Sequence, residues 1–302
     1  MELKTLTLKD EKLFNRFLSQ GRHELSVYAF ENIYIWKGLF DISWRVVEDC
    51  LCVFFRDKMG CFMYLAPLGE NTNEKIAQIA FAIMDGFNKN KAISRIENVE
   101  AGDLQFYKTL GFDTKLKSYD YVCLRSELAN LKGNKFKHKR SSCNYFLKHY
   151  GSEYLPFLTK YSADCLRLYD YWRKQRQEVN QDRVYQGMQQ DSLTALKTML
   201  NNLKKLKITG RVVRINKQIK AFSFGFALNP QTFCILFEIT DLSIKGLAQF
   251  VFRAFAQELK DYKYINIMDD SGLENLKKVK LSYHPAKLIP AYIAKRHEPK
   301  YS

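Results

Sequence analysis

The sequence predicts an α+β protein of two tandem units, each a mixed, mostly antiparallel sheet flanked by helices. Length is the first observation: 302 residues are many for one small core and few for three. Element order is the second, because helices, a three-strand meander, a helix, a strand and a helix occur in that order twice along the chain. Charge is the third. Residues 1–126 carry 17 Lys+Arg against 17 Asp+Glu, and residues 127–302 carry 48 − 17 = 31 against 32 − 17 = 15, so the whole net charge of +16 lies after the break. These observations divide the chain into a first unit at 1–126, a basic linker at 127–150 and a second unit at 151–302 that holds the ligand cleft.

In the first unit Leu6, Leu8, Leu13, Phe14 and Phe17 recur at roughly helical spacing, and Gly21 ends the run; a second helical stretch leads from Glu24 into Trp36 and Phe40. The period then shortens. Trp44–Val47, Cys50–Phe55 and Cys61–Leu65 are short apolar runs separated by Glu48-Asp49 and Asp57–Gly60, the pattern of an antiparallel meander. Pro67 and Gly69 stop it. A helix over Asn73–Asn88, a strand over Ile93–Val99, a short helix over Leu104–Leu110 and a strand over Tyr119–Leu124 follow.

The second unit reads as helices over Tyr154–Arg176 and Asp191–Lys204, then strands over Arg211–Ile215, Ile219–Leu228 and Thr232–Ile239, with turns at 216–218 and 229–231. A helix over Gly246–Tyr262, a strand over Tyr264–Met268 and a helix over Ser271–Val279 complete it.

With 46% apolar residues and 14% aromatics, packed cores are expected and disorder is not. The N-terminal MELKTLTLKDEK lacks the apolar core of a signal peptide, and no window approaches the ~18 apolar residues of a membrane span. A cytoplasmic protein is expected. Seven cysteines without a C-x-x-C pair and five histidines without ligand spacing predict reduced, mostly buried thiols and no metal. The one-sided charge favours an anionic partner, whether nucleic acid, phospholipid head group or phosphorylated cofactor. It peaks in Leu131–Tyr150, where Lys132, Lys135, Lys137, Lys139, Arg140 and Lys148 stand without an acid, interleaved with Phe136, Tyr145 and Phe146. Cations and rings so mixed suit phosphate contacts and base stacking.

The strand Thr232–Ile239 runs through Asp241-Leu242-Ser243-Ile244-Lys245-Gly246-Leu247-Ala248 directly into a long helix. A small-residue turn feeding a helix leaves unpaired N–H groups aimed one way, a place for an anion. Ser243-x-x-Gly246-x-Ala248 resembles the Q/R-x-x-G-x-G/A pyrophosphate loop of GNAT acyltransferases, with Ser in place of Gln or Arg. Phe106-Tyr107-Lys108-Thr109-Leu110-Gly111-Phe112 resembles the Y-x-x-x-G-F end of that domain, although the first unit's loop Ala66–Asn71 keeps no glycine pair and the unit looks degenerate. Two longer patterns are more specific. Leu131-x-Gly133-Asn134-Lys135-x-x-x-Lys139-Arg140 with Asn144 and Phe146, and Asp270-Ser271-Gly272-Leu273 with Lys280-Leu281-Ser282-Tyr283-x-Pro285, resemble the family named after the C-terminal domain of phosphatidylglycerol lysyltransferase, over nearly the whole chain.

That resemblance implies tandem GNAT-like domains. Its named activity, like that of the related Fem-type enzymes, implies transfer of an aminoacyl group from charged tRNA to an amine or hydroxyl. No cofactor is required in this reading; aminoacyl-tRNA, or in the alternative an acyl-CoA, is the donor substrate. The candidate catalytic residues are Glu238 or Asp241 as base, Asp270 or its neighbour Asp269 to pair with an ammonium, and Tyr283 as proton donor. Ser243, Lys245, Gly246 and Ala248 form the donor loop, and Lys135, Lys139, Arg140, Asn144 and Lys280 the anion site. A third expectation, of another class, is a non-catalytic binder of nucleic acid or of an anionic membrane surface.

Overall fold

The computed structural model describes residues 2–179 and 181–297. They form two compact units: one runs to Asp120 and also contains Asp269–Gly272 and the residues from Leu288 on, and the other contains Tyr121–Met268 and Leu273–Lys287.

The first unit opens with β1 (Lys4–Thr5), α1 (Glu11–Leu18) and α2 (Phe30–Ile35), the stretches expected to be helical. The meander follows as β2 (Asp41–Val47), β3 (Cys50–Arg56) and β4 (Cys61–Met63). Asn73 caps α3 (Glu74–Phe87) by accepting the Ile76 N–H at 3.1 Å. Then come β5 (Arg95–Glu100), α4 (Leu104–Thr109) and β6 (Phe112–Leu124), whose last residues, Tyr121–Leu124, belong to the second unit. Strands β1 to β4 pair antiparallel in sequence order, and β4 and β5 run parallel. One face packs Ile76, Ala80, Phe81 and Met84 of α3 against Cys52, Phe54 and Met63.

In the second unit the basic stretch expected as a linker is structured. It carries α5 (Arg125–Asn130) and α6 (Lys137–His149), joined by a short turn at Gly133 with φ +84°. Phe136, Cys143 and Phe146 recur at helical spacing and are buried, so apolar periodicity persists beneath the charge. Ser152–Pro156 forms β7 and not the start of a helix; the helix α7 (Ser162–Val179) begins only after Pro156, a residue that a helix interior excludes. Helix α8 (Arg183–Asn202) starts earlier than expected because Asp182 accepts the Val184 and Tyr185 N–H groups at 2.7 and 3.0 Å. Then follow β8 (Thr209–Ile215), β9 (Gln218–Asn229), β10 (Thr232–Thr240), α9 (Leu247–Glu258), β11 (Tyr264–Asn266) and α10 (Glu274–Leu281).

Strands β7, β8, β9 and β10 pair antiparallel in order, β10 and β11 run parallel, and β11 pairs antiparallel with Val122–Leu124 of β6. The same arrangement stands in the first unit, where the strand beside β5 is β12 (Lys287–Arg296), antiparallel to it through Ala291↔Glu100. Each unit is therefore completed by the last strand of the other half of the chain. The sequence reading ended at Val279 and did not foresee β12, whose Pro290 is a residue that strands seldom hold.

All seven cysteines are buried free thiols. Among the described residues no helix is long and apolar enough to cross a membrane, and no group of three or more His, Cys, Asp or Glu side chains could hold a metal ion.

If strand exchange completes each unit, residues 1–126 expressed alone lack β12 and should give no cooperative urea transition, whereas co-expression with 127–302 restores it; circular dichroism against urea reads both.

Candidate active site

Residues 241–248 are built from within. Asp241 is 2% exposed; its Oδ1 accepts the Ser243 N–H at 3.1 Å and the Ser243 hydroxyl at 2.6 Å, and its Oδ2 accepts the Lys220 ammonium at 3.1 Å. Burial works against the ionised form, but these donors outweigh it and hold the Asp241 carboxyl below the usual carboxylate range. Asp241 and Ser243, expected as base and donor-loop residue, thus brace the turn. Gly246 caps α9 at φ +84°. A Cβ on it would lie 2.0 Å from the Ser142 carbonyl oxygen of α6, so the glycine admits a neighbouring helix. The Lys245 ammonium sits 4.5 Å over the Tyr145 ring, and Ala248 is half-buried on the first turn of α9.

That close approach fixes α6. Arg253 and Gln257 of α9 each donate to the Ala129 carbonyl at 3.1 Å, and Arg253 reaches the Cys143 sulfur at 3.8 Å. Lys139 stands one turn before Cys143, in the Phe136–Cys143–Phe146 stripe that faces the core. Its ammonium lies 3.9 Å over the ring of Tyr283, which in turn packs edge-on against Phe252 with centroids 4.5 Å apart.

Lys139 and Tyr283 are both coupled electrostatically to Glu238 of β10. The residue is partly accessible, yet its Oε2 is sealed and accepts no hydrogen bond. Burial raises its carboxyl to about 8 against the pull of Lys139 and then Lys280. The Lys139 ammonium is itself lowered, burial again outweighing the attraction of Glu238. Both partners shift toward neutrality, so desolvation exceeds the mutual Coulomb gain. The Tyr283 phenol is pushed up, by burial first and by Glu238 next, and stays protonated at ordinary pH. Lys280 donates to the Ile267 and Met268 carbonyls, the latter at 3.2 Å, from beneath the ring of Tyr121.

Glu238, Lys139, Lys280 and Tyr283 are thus one cluster within the second unit. The other expected residues lie outside that group. Lys135 pairs with both oxygens of Glu127 at 2.7 and 2.9 Å, Arg140 donates to the Leu131 and Gly133 carbonyls, and Asn144 is exposed on α6. The Asp270 Oδ1 accepts the Gly272 N–H at 3.0 Å, in the short segment that groups with the first unit. Phe136 and Phe146 are core residues, leaving Tyr145 exposed. One residue escaped the sequence reading. Ser223 is wholly buried with an unpartnered hydroxyl, and register sets it opposite Glu238. The alternation Phe222-Ser223-Phe224-Gly225-Phe226 carries the signal: small residues on one face, rings on the other.

Residues 20–295 match the phosphatidylglycerol lysyltransferase C-terminal family. The chain belongs to that family. A conserved protein of unknown function from Bacteroides thetaiotaomicron is 28% identical, with a TM-score of 0.86 over 97% of this chain and 99% of that one. L-PGS from Bacillus licheniformis has a TM-score of 0.64 at 14% identity, covering 97% and 93%, and FemX a TM-score of 0.63 at 11% identity, covering 97% of each. The fold is that of tandem GNAT proteins and Fem-type transferases, and family and fold together support an acyltransferase. A search among curated proteins found no match.

Gly246→Ala is expected to destabilise this family member by about 2–4 kcal/mol, from the left-handed backbone and the clash with Ser142, with or without ligand, as read by urea unfolding. Asp241→Asn should cost about 1–3 kcal/mol at pH 7. Because the folded pKa of Asp241 lies below its unfolded value, its contribution is present above the unfolded pKa and lost as pH falls through the folded one. The difference between wild type and variant should therefore shrink toward acid.

Proposed function

We propose that the protein transfers an aminoacyl group from charged tRNA to an amine or hydroxyl acceptor, with the chemistry at Glu238 in the second unit and no bound cofactor. The observation that carries this reading is the Glu238 carboxyl, partly accessible, raised to about 8 and flanked by Lys139 and Lys280. An aminoacyl ester is already activated, so its transfer needs a nucleophile held in place, a base, and positive charge for the developing oxyanion. Glu238 takes the proton of the nucleophile, Lys139 and Lys280 offset the oxyanion, and the buried Tyr283 ring holds the Lys139 ammonium in position. Two further observations support a tRNA donor over acyl-CoA. The excess of +16 follows the break at residue 126, which suits a polyanion, and Gly246 is occupied by Ser142 where a pyrophosphate loop would need it open.

The test is a pool of tRNA charged with labelled amino acids, incubated with the protein and a cell extract of small molecules and lipids. Label should move from tRNA into a new product; label that stays on tRNA or is lost at the background rate sinks the reading. Glu238→Gln should lower transfer by about a hundredfold or more and remove a rate limb that rises through about pH 8 as the carboxyl ionises.

Stability has its own signature at the same residue. The folded pKa is raised, so the contribution of Glu238 is intact below its unfolded value and is lost as pH rises toward 8. Glu238→Gln should gain on wild type across that window in pH-dependent urea unfolding.

A further inference from the structure

Four elements of the second unit meet at one end of its sheet. Ser152, just after α6 closes at Tyr150, pairs with Ile215 at the end of β8, and Ile215 pairs with Gln218 across the turn at 216–217. Thr240 at the end of β10 pairs with Ala221, and the Asp241 N–H donates to the Lys220 carbonyl at 2.8 Å. The Leu242 N–H donates to Gln175 Oε1 of α7 at 3.4 Å, and the Lys245 ammonium stands over Tyr145 of α6. The end of α6, the β8–β9 turn, the 241–246 loop and the last turns of α7 therefore share one surface. Each carries an exposed lysine there: Lys148, Lys217, Lys245 and Lys174.

The acids brought to this end are largely engaged. Asp241 is buried against Lys220 and Ser243, and Glu153 holds Arg214 at 2.7 and 2.8 Å; Glu178 is exposed about one turn past Gln175. Lys217 has φ +64°, a backbone that glycine adopts freely and lysine does not. The cation at this tip is held at a cost in backbone strain.

We propose that this surface docks the sugar–phosphate backbone of the RNA donor by charge, without reading its bases. This rests on the transfer reading above and states which part of the donor is bound and where. Lysines on four separate elements suit a run of phosphates. Base stacking needs open aromatic faces, and the rings of the basic stretch are taken. Phe136 and Phe146 are buried, and Tyr145 has the His149 imidazole stacked on it at 4.0 Å and the Lys245 ammonium 4.5 Å from its centre. A bilayer fits less well, because the exposed apolar residues beside the lysines, Leu147 and Leu242, are single leucines on different elements and not a continuous apolar face. Asp241 follows Glu238 by three residues, about 10 Å along a strand, so the docked backbone lies close to the carboxyl that acts on the ester.

The test titrates fluorescently labelled, uncharged tRNA with the whole protein, read by anisotropy at about 50 to 200 mM salt. Lys148→Glu, Lys217→Gly and Lys245→Glu combined should weaken binding about tenfold or more and flatten the slope of log Kd against log salt by about 2–3. Lys260→Glu, exposed at the opposite end of β10 where Tyr264 pairs with Thr232, should leave Kd within about twofold. An abasic oligonucleotide should compete as well as oligouridylate of the same length. Circular dichroism reads folding in each variant, and Lys217→Gly alone should weaken binding without loss of stability against urea. A triple variant that binds tRNA as wild type does, an equal loss in Lys260→Glu, or an abasic competitor weaker by about tenfold overturns the surface. Vesicles of equal phosphatidylglycerol and phosphatidylcholine that bind more tightly than tRNA, and lose binding through the same three substitutions, overturn it in favour of a bilayer. If tRNA binding needs the lysines while charged tRNA yields no product, the transfer reading falls and the surface stands. If the triple variant transfers label with an unchanged KM for charged tRNA, the surface falls and the transfer reading stands.

Discussion

The approach of α6 to α9 across Gly246 is the contact on which the candidate site depends. The missing Cβ lets the Ser142 carbonyl reach the helix cap, and Arg253 and Gln257 hold the preceding segment by the Ala129 carbonyl. With α6 pinned there, the buried face that carries Cys143 and Phe146 also delivers Lys139 to Glu238. Charge alone would not bring this lysine inside; burial opposes the ammonium more strongly than Glu238 favours it. Apolar packing supplies the position, and electrostatics then act at a distance that packing has set.

Much of the fold is legible because periodicity is a local property. The meander Trp44–Leu65 and the strands between Arg211 and Ile239 follow from alternation and turn residues, and α3 and α9 from apolar spacing. What escaped depends on partners distant in sequence. Pro290 marks β12 as a poor strand, and only its pairing with β5 makes it one. Lys139 and Arg140 look alike in sequence, yet one faces the carboxyl and the other caps the Leu131 and Gly133 carbonyls, a difference set by helix phase. Glu238 and Tyr283 were reachable from strand position and motif. Ser223 required the register between β9 and β10, which no short window contains. The structural jobs of Asp241 and Gly246 belong to the same class, since Lys220 and Ser142 are far from them along the chain.

The basic stretch shows how one segment can answer to two demands. Its exposed positions, among them Lys137 and Lys148, give the second half its positive field, whereas Phe136, Cys143 and Phe146 build the core beneath. Composition reports the first and hides the second. A charge-dense segment is therefore not a flexible one when apolar residues keep helical phase within it.

The exchange of final strands has a consequence for how the protein is made. The first unit has most of its residues by Asp120, but β12, the strand that lies beside β5, is synthesised only after the strands of the second unit. At ~5–20 residues per second, about 170 residues intervene, on the order of ten to thirty seconds during which β5 presents an open edge on the ribosome. An unpaired edge is a template for any other strand. The nascent chain must therefore stay clear of its neighbours on a polysome until Lys287–Arg296 has emerged, so assembly of the first unit is tied to synthesis of the second and not to the completion of its own half of the message.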